Sequence, residues 1–253
     1  MKLLERLPGL LEERRRMLPS LEANVKKPDV RGSCSNILGQ AHRFIGVAEY
    51  VVHRNVAAFQ QELSLSARCR LGLLDRYEAG EQISVSYVAM TGGYQALLDA
   101  LAAFDDETAI KLAQKLGGRP TIESEHDHPF DLAFGYALKG CVLGAEDAVK
   151  LVLDFQKCCE CRENWDFRGY SSALKIAMNV DGISVAECID LIIRGHGNQC
   201  KRNGVFAGTE DEVLCVWGVG IVNLLRWRGV NVDSSHVLLP GALLRPWRNG
   251  SVR

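Results

Sequence analysis

The chain has 253 residues, 47% hydrophobic and 24% charged, with a formal net charge of -1 at pH 7. That length buries a sizeable core without disulfide or metal staples, and the composition is far from disordered or collagen-like sequences. Near-neutral charge excludes the bulk basic footprint of a dedicated nucleic-acid binder, and no window approaches the roughly 18 uncharged apolar residues of a membrane span.

Taken in chain order, Glu5, Arg6, Glu12 and Glu13 interrupt the opening residues too early for a signal peptide. Nine cysteines, an odd and high number for a secreted chain, fit a reducing compartment where thiols act as small core side chains. The sequence therefore reads as cytoplasmic. Leu38, Ala41, Ile45, Ala48, Val52, Val56 and Phe59 recur every three or four residues and predict one long amphipathic helix. Ile83, Val85 and Tyr87 alternate briefly, and Val230 to Val232 is too short to build a sheet. The stripe Tyr87, Met90, Tyr94, Leu97, Leu98 and Leu101 contains Gly92 and Gly93, which point to close helix packing or a break rather than a ligand site.

Three helix-turn-helix units follow, opened by Tyr94, Tyr136 and Tyr170 and continued by second helices at Ala109 to Leu112, Ala148 to Leu151 and Ala186 to Ile189. The spacing is that of helical-pair repeats, although any bundle with short turns gives such echoes. Ser184 with Glu187, and Thr209 with Glu212, form two capping boxes; the second precedes Val213, Leu214, Trp217, Ile221, Leu224 and Leu225 and a stop at Gly229. The predicted fold is all-α, with antiparallel helical pairs stacked as a repeat-like bundle or short solenoid. Residues 1–85 form an N-terminal helical segment packed on a repeat-like region, 86–253, in what reads as one continuous domain. Residues 1–31 carry a net +3, residues 226–253 a net +4, and the body between them a net -8. An acidic body suits a basic partner, or is simply a solvated surface.

The densest polar cluster is Glu123-Ser124-Glu125-His126-Asp127-His128-Pro129, followed by Asp131. Carboxylates with imidazoles can hold a divalent metal, and His126-Asp127 resembles the dipeptide of the helical HD-type metal phosphohydrolases, with His53 and Asp154 or Asp166 as further ligands. Against that, the dipeptide lies between Pro120 and Pro129, where helix is disfavoured, whereas that family carries it on a helix. The plainer reading is an exposed inter-repeat loop that ends in a cap, with Pro129 opening the next helix. Cys158 and Cys161 have the C-x-x-C spacing, with His196 and Cys200 as a second half of a zinc site, or both thiols face a core beside Leu151, Val152 and Phe155. Arg226-Trp227-Arg228 and Arg245-Pro246-Trp247-Arg248 could stack on a nucleic acid strand, or complement a helix end and close a core edge. The sequence contains no phosphate-binding loop and no G-x-S-x-G nucleophile elbow. No catalytic residue, cofactor or metal is expected.

The stretch from Tyr170 to Leu244 carries a resemblance. It holds a helix, then His196-Gly-Asn-Gln-Cys-Lys-Arg-Asn-Gly-Val-Phe-Ala-Gly-Thr209, a hydrophobic helix, Arg228-Gly229-Val230, and Leu239-Pro240 before Leu243-Leu244. This resembles the bacterial immunity proteins of the Immunity 49 kind, which protect a cell from polymorphic or secreted toxins. The resemblance covers the last third and, more loosely, the acidic middle. It implies a binding module without catalytic residues whose partner is a cognate toxin or effector domain, inhibited by occlusion. Glu123, Glu125, Asp127 and Asp131 are the candidate partner-binding residues, since four acids in nine residues are too costly to bury unpaired. The alternatives are a helical-repeat scaffold with another protein partner, or the HD-like phosphohydrolase. The sequence disfavours nucleic acid and membrane as partners.

Overall fold

The computed structural model describes residues 3–180 and 182–246, and the fold is all-α. Twelve α-helices run in chain order among the described residues: α1 Leu3–Val25, α2 Ser33–His53, α3 Val56–Glu78, α4 Val85–Val88, α5 Met90–Ala102, α6 Asp106–Lys115, α7 Pro120–His126, α8 Pro129–Leu143, α9 Ala148–Glu160, α10 Arg168–Ala177, α11 Val185–Gln199 and α12 Val216–Trp227. Short 3-10 turns lie at Arg162–Phe167, Glu210–Glu212 and Gly241–Leu243, and Ser235–His236 pairs antiparallel with Leu239–Pro240. None of the described helices is long and apolar enough to cross a membrane.

The long helix expected from Leu38 to Phe59 is two helices. Arg54 adopts φ 55°, and Asn55 caps α3 by accepting the Ala58 N–H at 3.1 Å, so the chain reverses within two residues while the apolar stripe runs on across the break. Packing of α2 on α3 is close because Gly39 and Gly46 face it: a Cβ there would lie 3.1 Å from Cys69 Cβ and 3.0 Å from Glu62 Cβ. Helix α1 lies on the other side of α2, with Leu7 and Leu11 buried against Ile45 and Ala48.

The three helical pairs are α5 with α6, α8 with α9 and α10 with α11. Helices α6 and α9 begin four and five residues after their partners end, and α11 eight residues after α10, connections short enough for neighbouring helices. Helix α12 is apolar over nearly its whole surface and packs on both α5 and α10. There Trp217 gathers Tyr94, Phe134 and Tyr170 within 5.3, 5.7 and 6.1 Å between ring centroids. The residue of α8 in this cluster is thus Phe134. Tyr136, which the sequence pattern aligns with the other two tyrosines, instead sits half-buried, accepts the Gly118 N–H and donates to Glu123.

Gly92 and Gly93 both lie inside α5 and serve close packing, while the break falls just before them. Ala89, with ψ 158°, separates α4 from α5, and a Cβ on Gly93 would overlap the Leu116 side chain. Ser184 caps α11 as expected, its hydroxyl oxygen accepting the Glu187 N–H at 3.2 Å. The Thr209 box does not form. Its hydroxyl donates to the Phe206 carbonyl, Glu212 accepts the Gly208 N–H, and α12 starts only at Val216.

Candidate functional site

Helix α2 carries Arg43 into the interior, where three carboxylates surround its guanidinium. Nε donates to Asp99 of α5 at 3.0 Å, Nη2 to Asp211 at 2.8 Å, and Nη1 to Glu210. Asp99 is also bonded by the Ser66 hydroxyl at 3.0 Å. Burial works against the guanidinium's charge, but Asp211, Asp99 and Glu210 outweigh it and hold the Arg43 pKa well above its ordinary value. For the acids the balance is reversed. Burial raises the Asp99 carboxyl, and burial together with Glu210 and Asp99 pushes Asp211 up to about 7 despite Arg43. One guanidinium faces three acids, so burial and like-charge repulsion together favour the protonated form of Asp211.

Above this network opens a cleft of about 670 Å³. The rings of Tyr94, Phe130, Phe167, Phe206 and Trp217, all 7% exposed or less, line its depth. Exposed Gln40, Gln95, His128 and Glu163 stand at its mouth with Asp131, Asn164 and Thr209. A concave site with an apolar interior and a few polar groups at fixed positions is the usual form of a ligand or side-chain receptor.

The four acids of the polar cluster have separate fates. Asp127 caps α5 from a distance, accepting the N–H groups of Met90 and Thr91 at 3.0 and 3.1 Å and the Thr91 hydroxyl at 3.1 Å. Glu123 accepts the Tyr136 hydroxyl and the Arg119 N–H, each at 2.9 Å. Asp131 accepts the Tyr94 hydroxyl at 2.8 Å and lines the cleft. Only Glu125 is exposed; the other three are half-buried, so the cluster is not the free loop that its composition suggests. Residues 120–126 are helical in spite of the flanking prolines, because Pro120 occupies the first position of α7, where its missing N–H costs nothing, and Pro129 does the same for α8.

Other expected constellations stay dispersed. Among the described residues, no three His, Cys, Asp or Glu side chains gather as a metal-holding group. His126 approaches only Glu125, while Asp154 pairs with Lys150 and Lys157. The core thiol of α9 is Cys159, at 1% exposure; Cys158 is half-buried and bonded by Asn164, and Cys161 is exposed. His196 donates through Nε2 to the Asp211 carbonyl at 2.8 Å, and burial lowers its pKa to about 4. The basic residues near the end bond to the fold itself: Arg226 donates to the Val232 and Arg245 carbonyls, Arg228 to that of Cys141, and Arg245 pairs with Asp106. Trp247 and Arg248 lie outside the described residues.

The ion network behind the cleft leaves one mark in the sequence that spacing rules overlook. Asp99 interrupts an otherwise apolar run, Leu97-Leu98-Asp99-Ala100-Leu101, and a carboxylate so placed requires a buried cationic partner. No protein-family model, curated protein or solved structure matches the chain.

Proposed function

We propose that this protein is a cytoplasmic immunity protein, a non-catalytic binding module that neutralises a cognate toxin or effector domain by occluding its active site or substrate path. One observation carries the reading. The segment that resembles the Immunity 49 family, through Gln199, Val205, Phe206 and Thr209, forms one wall of the cleft, and Asp131 from the acidic cluster faces the same space. Two regions distant in sequence, the segment that carries the resemblance and the candidate partner-binding acids, thus meet at one concave surface. The rigidity of that surface supports the same role. Arg43 ties α2, α5 and the turn before α12 together, so little ordering entropy opposes binding. Val205, 59% exposed at the rim, offers apolar contact beside the polar mouth.

The test is co-expression with the toxin encoded by the open reading frame adjacent to this protein's gene. A stable complex on size exclusion and survival of toxin-expressing cells are the expected results. Purified protein that neither binds that product nor protects the cells would overturn the reading.

A further inference from the structure

The charge of the cleft indicates what enters it. Its lining holds Asp131, Glu163, Glu210 and Asp211 against Arg14 and Arg43, and Arg43 is additionally paired with Asp99 behind it. Arg43 is committed to the fold rather than to an incoming anion, since Nε, Nη1 and Nη2 each already donate to a carboxylate and three acids surround its charge. Arg14 lies 5.7 Å from the Phe44 ring, at the α1 edge of the opening. Asp131 accepts the Tyr94 hydroxyl through Oδ1 alone, and Glu163 makes no hydrogen bond to the described residues. Two carboxylates therefore remain available at the mouth over a depth lined by aromatic rings. Carboxylates beside aromatic faces favour a planar, weakly hydrated cation, which pairs at its edge and stacks on its face.

We infer that the cleft is a receptor for a guanidinium group, and that an arginine side chain of the toxin domain seats there beside Asp131 and Glu163 against the aromatic wall. The identity of the donor protein rests on the proposed function; the preference for a guanidinium does not. Toxins that act on nucleic acid or anionic cofactors need basic sites, so an arginine withdrawn into this cleft is also removed from its substrate. The protein binds the same group internally: Arg43 sits in a nest of carboxylates contributed by separate elements.

The experiment is a two-dimensional NMR titration of the full chain with N-acetyl-arginine methylamide, the matching citrulline compound, and inorganic phosphate. The arginine compound is expected to shift signals of Phe206, Trp217 and Asp131 saturably. The neutral citrulline compound is expected to bind more weakly by about fivefold or more, and phosphate to leave these signals unmoved. Glu163→Gln, which disturbs no internal bond, is expected to weaken arginine binding about two- to fivefold. Asp131→Asn should weaken it further; because that variant also perturbs Tyr94, the glutamate variant carries the test if the second does not fold. Equal binding of arginine and citrulline compounds, preferential binding of phosphate, or no saturable shift would overturn the inference. Toxin capture that persists unchanged in Glu163→Gln and Asp131→Asn would overturn it while leaving the immunity reading standing. Selective arginine binding by a chain that captures no toxin would do the reverse.

Discussion

Arg43 donates through Nη2 to both carboxylate oxygens of Asp211, at 3.1 and 2.8 Å, joining α2 to a turn 168 residues further along the chain. Removing the cation leaves Asp99, Glu210 and Asp211 facing one another without compensation. Arg43→Met is expected to cost about 3–5 kcal/mol, the range for breaking a buried ion pair from one side. Urea denaturation measures it, and a loss below about 1 kcal/mol would contradict the described network.

Gly195 and Gly197 lie on the same helix and predict opposite outcomes. A Cβ on Gly195 would overlap the Asp166 carbonyl, a backbone group that cannot swing aside, whereas one on Gly197 meets nothing within 4 Å. Gly195→Ala should lose about 1–3 kcal/mol or more, and Gly197→Ala should gain up to about 1 kcal/mol from helix propensity. Thermal melts of the two variants side by side give the comparison, and equal melting temperatures would refute it.

Asp127 and Glu125 separate structural acids from free ones. Asp127→Ala removes the acceptor for the first N–H groups of α5 and is expected to lower stability by about 1–2 kcal/mol, as loss of an N-cap does. Glu125→Ala, on an exposed side chain, should stay within about 0.5 kcal/mol of the parent. Denaturant midpoints for the pair check both values.

His196 gives a pH dependence with a fixed sign. Its folded pKa is lowered to about 4 by burial against an ordinary value of 6.5, so between these values the unfolded chain binds a proton that the folded one refuses. The His196 contribution to stability is therefore complete above about pH 6.5 and declines as pH falls toward 4. His196→Gln, able to keep a donor near the Asp211 carbonyl, should lose this slope. Urea midpoints for parent and variant at several pH values in that window measure the difference, and parallel curves would refute it.

Features whose partners lie close in sequence are legible in the pattern, with two exceptions, and contacts between distant segments are not. The Ser184 cap and the three helical pairs depend on neighbours a few residues away, so the pattern shows them directly. The turn at Arg54 interrupts no apolar period, since Val52 and Val56 continue the stripe across it, and the stripe alone gives one helix where two form. At Thr209 the residue types of a capping box are present, but Phe206 and Gly208 take both side chains instead. The acidic cluster stands out by its density, yet of its four acids only Asp131 lines the cleft. The cleft's other determinants, Arg43 and the rings around Trp217, come from segments brought together by packing that no spacing rule encodes.

Helix α12 rests on α5 so closely that a Cβ at Gly220 would lie 2.6 Å from the Leu98 carbonyl oxygen, while the buried Asn223 donates to the Leu101 carbonyl at 3.2 Å. Synthesis from the N-terminus delivers these two partners more than a hundred residues apart. Until Leu225 has cleared the ribosome, the apolar side of α5 has only its earlier neighbours to cover it, and the aromatic cluster lacks its hub, Trp217. The nascent chain must therefore carry an unfinished core through the making of three helical pairs, and the core closes only when α12 arrives. A premature stop anywhere before α12 would yield a sticky, protease-sensitive fragment instead of a smaller working protein.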